Sequence, residues 1–533
     1  MEIEVKGHSG CQIDVVNDTD GKVYVYKSTA DPKYLQRLAL QAEKQQVAAK
    51  TKHQHIRVPG IFAIKRTDKT TIVKMEYVYS RNFIEFFEQA GFEQVNYLIA
   101  ALKSFVEWEI SQCEMTTVSA DVFRTKFAEI AEKVSVNPLY KGNEQIADVM
   151  QCAEKVFDEL ADLTIPVGTC HGDLTFSNIL FNGNNYYLID FLDSFIETPL
   201  QDIVKLRQDT RYRWSQLMYT KEYDAMRLGI VLDKIDAAID AHFSAHYDWY
   251  RQYINVMQLM NMLRILPYAH EEKVVQYLVN VLSSLVDKGQ GTGDKGHGTR
   301  NKRQEFRDMG QRTLIMPIAS NKPDYAYRMP RVFQMAEDGT MMCIHALLSL
   351  DLTKYDHIYI TTLRTLDERY SIGEMLRLQF KIKGIQNAEV VVLDEPTTSQ
   401  PETIYRTIQQ KQIIGSIFIK DADCNFVGED TKDNAIVVYP LEQLDWVNPK
   451  NKSYVNVDDQ YYITNIIEKR IVSHYFTAGG YSFADVTTFC RYYERFAGQK
   501  GLYLSHLIYT MLLDQHTFRP VMAKAYEDFE FKY

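Results

Sequence analysis

Residues 171–193, HGDLTFSNILFNGNNYYLIDFLD, constrain this chain more than any other stretch. Asn178-Ile-Leu-Phe and Tyr186-Tyr-Leu-Ile-Asp are β-prone runs, and Asn182-Gly183-Asn184-Asn185 between them is a strong hairpin signal. The pattern predicts a loop, a strand, a tight turn and a second strand. Asp173 and Asn178 then precede or open the first strand, and Asp190 closes the second. Asp190 follows Leu188 and Ile189 and precedes Phe191, so it needs a cation or a donor, because burying an unpaired carboxylate is costly. A salt-bridged aspartate in a capped loop would account for any one of these residues. H-x-D-x-x-x-x-N followed by an apolar strand ending in D-F is a more specific pattern.

HGDLTFSN with LIDF resembles the catalytic core of the aminoglycoside phosphotransferase and choline kinase group, relatives of the protein kinases. The resemblance implies a protein-kinase-like bilobal fold over residues 1–287 and ATP-dependent phosphorylation of a small-molecule hydroxyl. Such chemistry needs a carboxylate near the acceptor hydroxyl and ligands that hold Mg²⁺ on the ATP phosphates. By resemblance Asp173 is the catalytic base, Asn178 a metal and nucleotide ligand, and Asp190 the principal metal ligand. His171 supports the loop, and Asp202, at the start of an amphipathic helix, is a candidate brace for it.

Upstream, Gly7-His8-Ser9-Gly10 predicts a turn between strands, and residues 22–27, KVYVYK, alternate cleanly, placing Lys27 on the face of Val23 and Val25. Asp31-Pro32 predicts an N-cap and first helical position. In the helix that follows, Leu35, Leu38, Ala39 and Ala42 make the apolar face, with Glu43 one turn after Ala39. Lys27 and Glu43 are expected to pair and hold the α- and β-phosphates, as in kinase-like folds; a surface lysine and a surface glutamate are the alternative. Residues 71–78 predict a strand entering a hinge, where the resemblance implies adenine contacts at Glu76, Tyr77 and Val78. Residues 82–162 have helical periodicity. Trp214, Tyr219, Tyr223, Tyr247, Trp249, Tyr250 and Tyr253 fall on later helices, as core residues or as a cage for a quaternary ammonium.

At 533 residues the chain is too long for one core. A net charge of −10 disfavours general nucleic-acid binding. Seven scattered cysteines without a CxxC pair argue against a disulfide framework or structural zinc. Neither an N-terminal signal pattern nor a long apolar run occurs, so a cytoplasmic protein without membrane insertion is expected. The oligomeric state is open.

Residues 288–302, KGQGTGDKGHGTRNK, read as a Gly-rich polar linker, extended here to 288–311. Beyond it, strands such as TLIMPI, DHIYITTL, AEVVVLD and SIFIK alternate with helices, predicting a mostly parallel α/β domain over 312–533. Ligands of such sheets bind beyond the carboxyl ends of the strands, here Ala319-Ser320-Asn321, Leu393-Asp394-Glu395-Pro396 and Asp421-Ala422-Asp423. Asp421 and Asp423 diverge if the strand continues, and converge on a cation such as Mg²⁺ if it has ended.

The order MPRVF, LDEPTTSQPETIYRTI, FIKDAD, NIIEKR and AGGYSF resembles the sugar-nucleotidyltransferases of GT-A-like fold, a group that includes cytidylyltransferases. The resemblance implies Arg331 at the phosphates, Gln400 and Glu402-Thr403 near the base or ribose, and Asp421 and Asp423 at the metal. Glu468-Lys469 and Gly480 would line the acceptor pocket, and Asp528 would supply a second metal-binding aspartate. The family's first loop is glycine-rich; ASNKPDYAYRMPR has no glycine and offers Lys322, Arg328 and Arg331 instead.

Together these readings predict a bifunctional enzyme: an ATP- and Mg²⁺-dependent kinase fused to a nucleotidyltransferase using a second NTP, in surface polysaccharide biosynthesis. A C-terminal glycosyltransferase and a non-catalytic C-terminal module are the rival readings.

Overall fold

The computed structural model describes residues 11–290, 310–319, 323–428, 431–444 and 451–529. It divides into two compact units, one of residues 1–88, 94–224 and 231–299, the other of residues 89–93, 225–230 and 300–533. The Gly7–Gly10 turn and Ser320, Asn321 and Lys322 lie outside the described residues, as does most of the expected linker. The linker's first residues, 288–290, end the helix Glu272–Gln290.

The first unit opens with an antiparallel sheet ordered Gln12–Asn17, Val23–Thr29, Thr71–Glu76, Ile61–Arg66. The helix Leu35–Ala48 buries Leu38, Ala39 and Ala42, and Leu38 and Ala42 cluster with Ile61 and Val73 of the sheet. Asp31 is not this helix's cap. Its carboxylate accepts from Lys33 N at 2.9 Å, closing a turn through Pro32, and the helix starts only after Tyr34.

The helical region follows with Phe92–Ser111, Asp121–Ser135, Glu144–Asp158, Pro199–Thr210, Ala225–His246, Asp248–Leu263 and Glu272–Gln290. One strand interrupts the expected helical run. Glu114–Val118 pairs antiparallel with Leu163–Val167, where Thr116, Thr117 and Val118 supply the β-branched residues that a pleated pair favours.

The hairpin forms as read, from Ile179–Asn182 and Asn185–Leu188, with Asn182 opposite Asn185 and Ile56–Arg57 added in parallel. Beneath it Phe83, Phe86, Phe87, Phe176, Phe181 and Tyr186 are all buried, with Phe86 and Phe181 stacked at 4.7 Å. Burying each such side chain stabilises the fold by roughly 1.5–3 kcal/mol, which makes the hairpin a rigid shelf for the residues at its mouth.

The second unit is built on a mixed sheet. Ala388–Leu393, His357–Leu363, Arg312–Pro317 and Ser416–Lys420 run parallel, as the sequence predicts. Tyr475–Phe483 then pairs antiparallel with Ser416–Lys420 and with Ala435–Pro440, and Ser453–Val457 and Ile463–Glu468 extend that half. Thus the first half is a parallel α/β layer, whereas the second is mixed, with Arg519–Met522 parallel to Ala435–Pro440 at its edge. A two-stranded ribbon, Cys424–Val427 with Ala525–Asp528, brings the end of the chain beside Asp423. Within this unit Arg227 is fully buried over the Tyr509 ring and donates to the carbonyls of Ala90 and Ile466. Among the described residues no helix is long and apolar enough to cross a membrane.

Candidate active sites

In the first unit, the loop 171–174 is held from behind by one helix. Asp202, at the start of Pro199–Thr210, accepts from the backbone N–H groups of His171 (2.7 Å), Gly172 (2.8 Å) and Leu174 (3.3 Å). Two turns on, Asp209 accepts from Phe176 N at 2.8 Å. The expected bracing role of Asp202 is therefore borne out by its contacts. His171 is buried, donates from Nε2 to the Ile189 carbonyl (2.9 Å) and accepts at Nδ1 from Asp173 N (3.2 Å). Burial brings its pKa down to about 4, so the imidazole is neutral and ties the loop to the end of the hairpin.

On the open side of that loop, Asp173 accepts from Lys205 Nζ at 3.0 Å and from Asn178 Nδ2 at 2.9 Å. Burial pushes the Asp173 carboxyl up, but the Lys205 charge and hydrogen bond, with Asn178, outweigh it and hold the pKa below the ordinary value. Asp173 therefore stands ionised. Because Asn178 also donates to the Asp173 carbonyl, its amide oxygen is turned away from both acceptors. Asp190 adopts a left-handed backbone, φ +60°, and receives Lys27 Nζ at 2.7 Å. The turn behind it is close-packed. A Cβ at Gly172, φ +88°, would come within 2.1 Å of the Leu192 carbonyl oxygen, so only glycine lets the two loops touch.

Lys27, Asp173, Asn178 and Asp190 are thus brought to one place, but Glu43 is not. Its partner is Arg66, at 3.3 Å, and both side chains are about half exposed. The inward residue of that helix is its neighbour Lys44, which donates to the Leu192 carbonyl (2.6 Å) and to Glu197 (2.7 Å) beside Asp193. The expected Lys27–Glu43 pair is replaced by Lys27–Asp190 and Lys44–Glu197. At the strand end, Glu76 accepts from Gly60 N at 3.0 Å, while Tyr77 and Val78 are half-buried where the strand stops. Trp249, Tyr250 and Tyr253 are buried core residues, and the Tyr250 hydroxyl is committed to Asp240, with Arg207 donating to it.

Sequence reasoning passed over Lys44, Lys205 and Glu109. Lys205 had a signal: Asp202, Lys205 and Asp209 line one face of an otherwise buried helix at spacings of three and four. Lys44 had none, because it follows directly on the glutamate that fits the kinase pattern.

In the second unit, the strand ends at Lys420, and Asp421-Ala422-Asp423 forms a bend that brings the two carboxylates together. Burial, then the Asp423 charge, pushes Asp421 up to about 6. Gln400 Nε2, at the start of the helix Gln400–Lys411, donates to Asp421 at 2.6 Å. Lys452 bridges to Asp528 at 2.6 Å and lies near Asp423. Gly479, φ +81°, lets its strand approach Asp421, whose N–H donates to the Gly479 carbonyl at 2.8 Å.

The other residues singled out in this half make contacts of their own. Glu402 caps its own helix, accepting from Thr398 N (2.8 Å) and pairing with Arg406. Lys469 is exposed and bonds the Tyr503 hydroxyl at 2.5 Å, while Glu468 accepts from Ser453 and Ser505. Gly480 abuts Val437, Phe426 and Phe418 in the core. Arg331 lies half-buried in the turn Arg331–Phe333. Among the described residues no three His, Cys, Asp or Glu side chains gather as a metal cluster.

Comparison with known proteins agrees with the geometry of the first site. Residues 16–249 match the model of the phosphotransferase enzyme family. This stretch is a phosphotransferase-family domain. The expectation of an ATP-dependent small-molecule phosphotransferase agrees with that match. No curated protein matches the chain. Solved structures similar to it include a nucleoside-diphosphate-sugar pyrophosphorylase from Vibrio cholerae, at 18% identity and TM-score 0.33, covering 39% of this chain and 91% of that one. Another is the inositol-1-phosphate CTP transferase from T. maritima, at 16% identity and TM-score 0.33, covering 42% of this chain and 90% of that one.

Proposed function

We propose that the chain is a bifunctional enzyme whose first domain phosphorylates the hydroxyl of an amino alcohol or sugar with ATP, and whose second domain nucleotidylates the product. The observation that carries this reading is the convergence of Lys27, Asp173, Asn178 and Asp190 at the mouth of one rigid hairpin. The Asp190 carboxylate and the Asn178 amide oxygen are hard oxygen donors, a set that suits Mg²⁺. Asp190 and Asn178 would hold the ion, which would supply positive charge against the ATP phosphates.

The chain's own groups then have distinct tasks. Asp173, kept ionised by Lys205, orients the acceptor hydroxyl and takes its proton as the oxygen attacks the γ-phosphorus. Lys27 exchanges Asp190 for the α- and β-phosphates. His171, being neutral, takes no proton and only fixes the loop. The end of the strand at Tyr77 and Val78 offers backbone groups to the adenine.

In the second domain, Asp421 and Asp423 are adjacent carboxylates that repel each other, and together they would hold a divalent cation, which would offset the charge of an NTP. A phosphate oxygen of the phosphorylated metabolite attacks the α-phosphorus. The bond from that phosphorus to the bridging oxygen breaks, and pyrophosphate leaves. Consecutive reactions on one metabolite give the fusion a reason, and an activated headgroup of this kind suits bacterial capsule or lipopolysaccharide assembly.

Mass spectrometry of products from the full chain tests this, with Mg²⁺, ATP, CTP, UTP and GTP and pooled amino alcohols and sugars. A phosphorylated acceptor and its nucleotidyl derivative are expected. Phosphorylation without any nucleotidyl product or pyrophosphate removes the second activity.

A further inference from the structure

Behind the loop 171–174, two acidic side chains compete for one donor. The His171 backbone N–H donates to Glu109 Oε1 at 2.8 Å and to Asp202 Oδ2 at 2.7 Å. Both side chains are fully buried, Glu109 on the helix Phe92–Ser111 and Asp202 on Pro199–Thr210. Oxygens that converge on one hydrogen are too close for two full negative charges in a water-free setting, so the pair holds a proton.

The hydrogen bonds say which residue carries it. Asp202 accepts from three backbone N–H groups, at His171, Gly172 and Leu174, a set that favours the anion. Glu109 accepts from one, and its Oε2 is buried with no hydrogen-bond partner, so an ionised Glu109 would leave a bare anionic oxygen.

The surroundings do not remove the conflict. Lys44 is the cation facing the pair, but its ammonium is already bound to Glu197 and the Leu192 carbonyl. The Cys170 thiol feels the charges of both carboxylates and the Cys113 thiol that of Glu109, and burial pushes each thiol up so that neither supplies a counter-charge. The His171 imidazole is neutral. Burial and the Asp202 charge both push the Glu109 pKa well above its ordinary value.

We propose that Glu109 is a positioning residue for the phosphoryl-transfer loop: it carries one proton at neutral pH, and only in that neutral form can two helices grip the loop at the same backbone N–H. Loss of the proton would set two buried anions against each other directly behind Asp173. The proton assignment stands without any assigned activity; the positioning role rests on the phosphotransfer reading.

The experiment compares the full chain with Glu109→Gln, whose amide keeps the shape and neutrality of the protonated acid. Infrared difference spectra report protonated carboxyl groups, and at pH 8 the wild type is expected to show a carboxylic-acid carbonyl band that E109Q lacks. Stability gives a second readout. A carboxyl whose folded pKa is raised contributes stability that is complete below its unfolded pKa and is lost as pH rises through the folded one. Between the two values the wild type should take up about one more proton on folding than E109Q. ADP release from Mg·ATP with the pooled acceptors should fall in the wild type as Glu109 ionises, and should not fall with it in E109Q.

Absence of the band from the wild type overturns the assignment even if E109Q does not fold, and persistence of the band in a folded E109Q overturns it as well. If the band behaves as expected and both proteins release ADP with identical pH profiles, the positioning role is overturned. If neither protein releases ADP, the failure belongs to the phosphotransfer reading, and the proton assignment is upheld.

Discussion

Gly172→Ala is the smallest change that separates the two loops of the first site. The added Cβ would lie 2.1 Å from the Leu192 carbonyl oxygen, where real Cβ atoms stay beyond 3.0 Å, so the loops must part by about 0.9 Å. Alanine at φ +88° adds about 1–2 kcal/mol of backbone strain. The parted contact includes hydrogen bonds from Leu192 N to the His171 carbonyl (2.9 Å) and from Ser194 Oγ to the Gly172 carbonyl (3.1 Å). Weakening one of them brings the cost to roughly 3 kcal/mol. With roughly 2.1 cal/mol/K of unfolding entropy per residue, a unit of this size should then melt about 5 °C lower. The kinetic effect should be larger, because Asp173 and Asp190 lie on opposite sides of the opened contact. A misplacement of about 1 Å can cost on the order of 100-fold in turnover. The assay is ADP release from Mg·ATP with the pooled acceptors, beside a melting curve and an ATP titration. Turnover should fall far more than ATP affinity. A folded G172A protein with near-wild-type turnover would refute the claim that this contact sets the catalytic spacing.

Further outcomes follow from the same contacts. Glu43→Gln should leave ATP affinity and stability nearly unchanged, because its exposed pair with Arg66 contributes at most about 1 kcal/mol, whereas Lys44→Met should lower both. Equal effects of the two, read by ATP titration and melting, would contradict the assigned roles. In the second unit, Asp421 is raised to about 6, so its contribution to stability is complete below the unfolded carboxylate value and is lost as pH rises through 6. Mg²⁺ should therefore raise the melting temperature more at pH 8 than at pH 5, and Asp421→Asn should abolish the difference.

Much of the first site was legible because it is local. Asp173, Asn178 and Asp190 are fixed by eighteen residues of loop and hairpin whose turn chemistry is explicit, whereas the phenylalanines beneath come partly from the separate helix Phe83–Phe87. What depended on distant packing was not legible. Glu43 and Lys44 are about 100° apart on the helix, and which of them faces inward is set by the partner it meets in the fold, here Glu197 for Lys44. Lys205 and Glu109 reach the loop from helices that sequence places far away. In the second unit alternation left open whether Asp421 and Asp423 converge, which the end of the strand at Lys420 decides; the parallel strands were readable, but the other half of the sheet was not. Its strands pair across long insertions, and Asp528 reaches the site only through the ribbon at the end of the chain. Glu402 shows a different limit: a glutamate three residues after a serine N-cap fits a capping box as well as a ligand site, and here the cap takes it.

The most direct test of the central claim is a crystal structure of the full chain with Mg²⁺ and a non-hydrolysable ATP analogue. The account predicts a metal ion on Asp190 and Asn178, with Lys27 moved from Asp190 onto the phosphates. A cleft without nucleotide, in which Lys27 still holds Asp190 at the 2.7 Å seen here, would contradict it.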